Sequence, residues 1–131
     1  MDAGQTAGGA ELTKDLRAET DLLARDAERL EALRAVKNLQ RHYAQLGQFG
    51  LWDEMAGLFT AGARFLWGTE EVAGRTAIAA WLLARGGGRH GLGSGALHTE
   101  LVDEPLVNLS ADGRSAPVSY THLTLPTILR V

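Results

Sequence analysis

No cysteine occurs in the 131 residues, which removes disulfides, thiolate metal sites and cysteine nucleophiles together and fits a reducing compartment. No apolar run approaches the roughly 18 residues that a membrane helix needs. The N-terminal MDAGQTAGGAELTKD holds no hydrophobic signal core, so the expected setting is soluble and cytoplasmic. Without such a signal, the sequon Asn108-Leu109-Ser110 carries no message. Basic charge is also short, with 13 Lys and Arg against 16 Asp and Glu and a net charge of −3. That leaves no surplus to displace counterions from a nucleic-acid backbone, so neither nucleic acid nor membrane is an expected partner. What is present, 45% apolar residues including three Trp, suffices for one domain with a moderate core.

Residues 1–10 show no apolar period and read as a disordered tail. From Glu11 to residue 34 the spacing turns helical, with Leu16, Leu23 and Leu30 seven apart. This narrow stripe either packs along its own domain or zips against a second chain. The stripe then changes phase, and Val36, Leu39, Tyr43 and Leu46 share one face, which should point Tyr43 inward. Gly47 and Gly50 bracket the passage to a short helix led by Trp52, where Asp53 and Glu54 sit near the positive end. Residues 63–67 alternate as a strand, so Ala63, Phe65 and Trp67 share a face, and Gly68-Thr69-Glu70-Glu71 turns the chain. A second amphipathic helix runs from Thr76 to Ala84 and offers Ile78, Trp81 and Leu82 to the core. The glycine-rich stretch 86–95 follows a helix and precedes a strand, the reverse of a dinucleotide-binding loop, and reads as a flexible rim. Residues 97–109 form one long strand or a bent pair broken at Pro105, and Ala111-Asp112-Gly113 forms a hairpin turn.

Read as VKNLQRHYAQLGQFGLWDEMAGLFTAGARFLWGTEEVAGRTAIAAWLL, the central stretch resembles the SnoaL-like branch of the NTF2-like superfamily. The resemblance rests on an R-Y-A, W-D, L-F-T, strand, G-R-x-x-I succession and extends to about residue 116. It implies an α+β, NTF2-like cone in which N-terminal helices pack on a curved antiparallel sheet to enclose a pocket. The superfamily hosts isomerases, dehydratases, cyclases and non-catalytic binders, so the resemblance implies a scaffold more than a reaction. The segment PVSYTHLTLPT from Pro117 looks instead like translated sequencing-adapter read-through of the kind found at the ends of metagenomic contigs. On that reading residues 35–116 are an incomplete domain, 117–131 are non-native and the closing C-terminal strands are missing. A natural Thr/Leu-rich strand is the alternative.

Within that frame, His98 lies where many SnoaL-like proteins carry a histidine, and an imidazole can both take and give a proton at neutral pH. The competing role is a histidine hydrogen-bonded at the sheet edge. Glu100 shares its strand face and offers a carboxylate to orient the ring, provided that Leu97 and Leu101 do not take the interior instead. Tyr43 is a candidate hydrogen-bond donor to a carbonyl or enolate oxygen, or else a core filler. Phe65, Trp67 and Trp81 would wall an apolar cavity or serve as ordinary core aromatics. Two departures thin the acid–base inventory: Gln48 stands where catalytic relatives often have an acid, and Gly62 replaces a frequent Asp. Gln48 cannot abstract a proton, but its amide can bind a ligand. His42, His90, His98 and His122 show no metal-ligand spacing, so neither a metal nor a cofactor is expected.

Two functions follow. One is a cofactor-independent isomerase, dehydratase or cyclase acting on a small hydrophobic carbonyl compound, with His98 as proton shuttle and Tyr43 as donor. The other is a non-catalytic ligand-binding or dimerising accessory domain. Relatives commonly dimerise, so the resemblance also implies a homodimer.

Overall fold

The computed structural model describes residues 3–120 and 122–128, with side chains for 6–99 and 103–120. The elements run α1 (Ala3–Gln48), α2 (Trp52–Gly57), β1 (Arg64–Trp67), β2 (Glu70–Ala73), α3 (Arg75–Arg85), β3 (Ala96–Val102), β4 (Leu106–Val107), β5 (Val118–Ser119) and β6 (His122–Ile128). The architecture is α+β. Among the described residues the strands hydrogen-bond as three separate pairs, β1-β2, β3-β6 and β4-β5, rather than as one continuous sheet. Among the described residues, no helix is long and apolar enough to cross a membrane. The chain forms two compact units, Met1–Val36 with Val107–Pro117, and Lys37–Leu106 with Val118–Val131.

In the first unit, α1 starts at Ala3, so residues 3–10 are helical where their composition suggests a tail. Once a helix is nucleated, each added residue fixes one hydrogen bond at little further cost, and the pattern of apolar residues is not required for that. The Thr13 hydroxyl donates to Gly9 O at 2.8 Å within this stretch. The leucine stripe on this half of α1 is exposed at Leu16, Leu23 and Leu30, as is Leu12. Residues 107–117 form a loop closed by Asn108 N–H to Pro117 O at 3.0 Å and Ser110 N–H to Ser115 O at 2.8 Å. Arg29 donates to Ser110 O at 3.2 Å, tying the loop to the helix. At its tip Gly113 takes φ +70°, as the Asp-Gly pair anticipates. The Asp112 carboxylate accepts hydrogen bonds from the Ser110 hydroxyl and the Arg114 N–H, which hold its pKa below the usual carboxylate range.

The second unit contains the core. Leu46, Trp52, Met55, Ala56, Ile78 and Leu82 are buried together, so the end of α1 and the inner faces of α2 and α3 meet around them. The helical spacing of Ile78 and Leu82, four apart, places both on that face. Tyr43, Phe59, Phe65 and Trp81 are half-buried around this cluster. Strand β1 alternates as its sequence requires, with Phe65 half-buried between exposed Arg64 and Leu66. Its partner β2 is not legible from periodicity. It pairs Phe65 with Val72 and Trp67 with Glu70, and Glu71 accepts from Arg64 Nε at 2.6 Å. Residues 97–109 resolve into β3 and β4 with Pro105 between them, consistent with its missing ladder donor. Strand β3 pairs antiparallel with β6, His98 lying opposite Pro126.

Candidate functional site

The motifs that carry the family resemblance turn out to be joints. Gly74 caps α3 at φ +90°, ψ 147°, a region that side chains rarely enter. Its N–H donates to Ala63 O at 2.8 Å. Arg75 Nε donates to Phe59 O at 2.7 Å, fastening the start of α3 to the segment after α2, and Ile78 is fully buried. The W-D pair fastens the glycine-rich loop. Trp52 Nε1 donates to Arg89 O at 3.1 Å, Asp53 Oδ2 lies 3.0 Å from His90 Nε2, and Gly91 N–H donates to Gly50 O at 2.9 Å. Residues 86–95 are thus held at three points and are not the flexible rim that their composition suggests.

These joints bring five of the sequence-nominated residues together. Tyr43 from α1, Phe65 and Trp67 from β1, Trp81 from α3 and His98 from β3 line one cleft of about 160 Å³. The floor is apolar, supplied by Met55, Leu82 and the indole of Trp52. His98 is half-buried and meets the Trp52 ring edge-on, centroids 5.6 Å apart, while Leu97 is exposed. The parity of β3 therefore turns His98, not Leu97, toward the cleft. Glu100 lies on the same strand, but its side chain falls outside the described residues. Gln48 does not join the group. It is exposed and lines neither cleft, because Leu46 and Gly47 already occupy the buried face at the end of α1 and the next residue turns outward.

The aromatic wall is continuous. Phe65 and Trp67 stack with an interplanar angle of 9° and centroids 6.3 Å apart, and Trp81 lies 4.9 Å from Phe65 and 5.8 Å from Trp67. Trp81 Nε1 donates to Glu70 Oε2 at 3.0 Å, which fixes the indole through β2. Arg85, not nominated from the sequence, also lines the cleft. Its Cζ sits 4.9 Å from the ring centroids of both Trp67 and Trp81, a double cation–π contact. The available signal is its spacing: Arg85 follows Trp81 by four residues on one helix face. Trp52, in sequence only the start of α2, is a further cleft residue that pattern alone does not reveal.

Tyr43, Phe65 and Trp67 also contribute to a larger hollow of about 400 Å³, completed by Leu39, Phe59, Tyr120 and others. Gln40 lines it, and its Oε1 is buried without a hydrogen-bond partner among the described residues. No three His, Asp or Glu side chains among the described residues are grouped so as to hold a metal ion.

Comparison with known proteins places the fold. Among solved structures, Aln2 from a Streptomyces species superposes with a TM-score of 0.60 at 23% identity, covering 72% of this chain and 64% of that one. A protein from Catenulispora acidiphila gives 0.58 at 19%, covering 72% and 66%. ActVI-ORFA from Streptomyces coelicolor gives 0.55 at 19%, covering 76% and 74%. The chain thus spans slightly less than two thirds of the first two neighbours, and at these identities the likeness is one of fold. No curated protein matches the sequence. The model of the SnoaL-like domain matches residues 28–126, which include every joint and every cleft residue named above, and the chain belongs to the SnoaL-like family.

Proposed function

We propose that the smaller cleft takes a small hydrophobic carbonyl compound, and that the protein is a cofactor-independent isomerase, dehydratase or cyclase in which His98 moves a proton and Tyr43 donates a hydrogen bond to the carbonyl oxygen. One observation carries this reading: the imidazole of His98 and the ring of Tyr43 open onto the same aromatic-walled hollow. A base beside a bound carbonyl can remove an adjacent proton, and a donor on the oxygen stabilises the enolate that forms. The reaction class is testable without the natural substrate. With 2-tetralone in D2O, the wild type should accelerate exchange of the protons beside the carbonyl, followed by proton NMR, and His98→Ala should lower that rate about 10²-fold or more. Exchange no faster than buffer with bound tetralone, or exchange indifferent to His98→Ala, would remove the catalytic reading.

The second reading, a ligand-binding domain without turnover, draws on a different fact. No carboxylate is among the described residues that line the cleft, and Gln48 faces away. Bound tetralone with no exchange is its expected result. The exposed Leu16, Leu23 and Leu30 stripe on α1 supports a homodimer, because seven-residue spacing suits a second helix. Sedimentation of the wild type against Leu16→Glu/Leu23→Glu reads that directly.

A further inference from the structure

We infer that the ligand of this cleft carries a carboxylate, received by Arg85. The inference rests on the cleft being the ligand site and adds the charge of what enters it. Arg85 ends α3, where a cation is favoured by the helix C-terminus, and its Cζ lies 4.9 Å from the ring centroids of both Trp67 and Trp81, whose planes are inclined at 55° to each other. Glu70 anchors one of these indoles through Trp81 Nε1, so the wedge that receives the guanidinium is itself fixed. Contact with ring faces does not consume the N–H donors of a guanidinium. Those donors are open to solvent, since Arg85 is exposed. Among the described residues Arg85 donates no hydrogen bond and has no carboxylate within 4.0 Å.

Among the described residues, Glu70 is engaged by Trp81, Glu71 by Arg64 and Asp53 by His90. Two other arginines in this unit contrast with it: Arg64 pairs with Glu71 and Arg75 donates to Phe59 O. A neutral hydrophobe filling the cleft would strip water from Arg85 and return nothing to its donors. A carboxylate on the same hydrophobe offers two oxygens matched to the guanidinium fork. Its apolar part then lies along Phe65, Leu82 and Met55, with His98 at the opposite strand.

Cyclohexanecarboxylate and cyclohexanecarboxamide, which differ in charge but hardly in shape, are the probes. Neither absorbs where tryptophan emits, and all three tryptophans of the chain line the cleft. In low salt the carboxylate should bind the wild type about tenfold more tightly than the amide. Arg85→Gln should erase that preference, with the wild-type far-UV circular dichroism spectrum retained to show that the variant is folded. Arg85→Lys, retaining charge without the planar fork, should keep part of the preference. Equal affinities in the wild type, or a preference surviving Arg85→Gln, would overturn the inference and leave the cleft as a ligand site. Failure of both probes to bind would overturn the cleft reading itself, and the inference with it.

Discussion

Gly86→Ala is the sharpest perturbation available, because the backbone tolerates it and the packing does not. Gly86 has φ −77° and ψ 9°, a conformation open to any residue. A Cβ placed there would overlap Trp52 Cε2 and Nε1 and lie 2.5 Å from Cζ2. The indole cannot swing aside freely, since Trp52 is 4% exposed and its Nε1 is bound to Arg89 O. Overpacking of this kind costs about 2 kcal/mol. Loss of the indole hydrogen bond adds about 1 kcal/mol. The stiffer unfolded chain of the alanine variant returns about 0.5 kcal/mol. The net expectation is a loss of about 2.5 kcal/mol in urea unfolding followed by far-UV circular dichroism. Gly87→Ala makes the control: Gly87 has φ +91° and open space around its Cβ position, so only a backbone penalty of about 1 kcal/mol is expected. The left-handed glycine should thus be the more replaceable of the two. In a Trp52→Leu background the Gly86→Ala loss should shrink to under about 1 kcal/mol. A Gly86→Ala variant within about 0.5 kcal/mol of wild type, or a loss undiminished without the indole, would refute the steric argument.

Three further outcomes are expected. Gln40→Met should raise stability by about 1 kcal/mol in the same unfolding assay, because it replaces a buried acceptor that has no donor among the described residues with an apolar side chain of similar length; an unchanged midpoint would show that the acceptor is satisfied. Glu104 is held below its ordinary pKa of 4.5, first by the hydrogen bond and then by the charge of Lys37, with the charge of Arg41 acting in the same direction. A folded pKa below the unfolded one stabilises above the unfolded value and is lost as pH falls through the folded one. Melting of Glu104→Gln should therefore lie below wild type at pH 7, and the gap should close as pH falls below the ordinary 4.5 and through the lowered folded value; a gap constant with pH would reject the linkage. Arg29→Ala should speed amide exchange at Ser110 and Gly113 more than at Ile78, since Arg29 secures that loop to α1; uniform protection would contradict it.

Periodicity suffices for the second half of α1, for α2, β1 and α3, because each of these carries apolar residues at the spacing its geometry demands. It also brings Tyr43, Phe65, Trp67, Trp81 and His98 to one place, since the family pattern orders the elements that bear them. Strand β2 escapes because Val72 is its one half-buried residue; its support comes from Arg64 and Trp81, side chains outside the strand itself. The anchoring of residues 86–95 escapes for a related reason. Its donors sit on Trp52 and Gly91 and its acceptors on Arg89 and Gly50, pairs that no local rule connects. Arg85 goes unnoticed because a basic residue at a helix end is ordinary by itself, and only the facing indole of Trp67 makes it unusual. Residues 117–131 read as foreign to the domain; β5 and β6 lie there, and the family match runs to residue 126.

The placement of the three tryptophans has a consequence for any spectroscopist. Their emission senses α2, β1 and α3, whereas helical ellipticity comes mostly from the 46 residues of α1. Heating curves recorded by these two signals weight different stretches of the polypeptide, and their superposition or divergence is a direct measure of whether those stretches melt as one cooperative body.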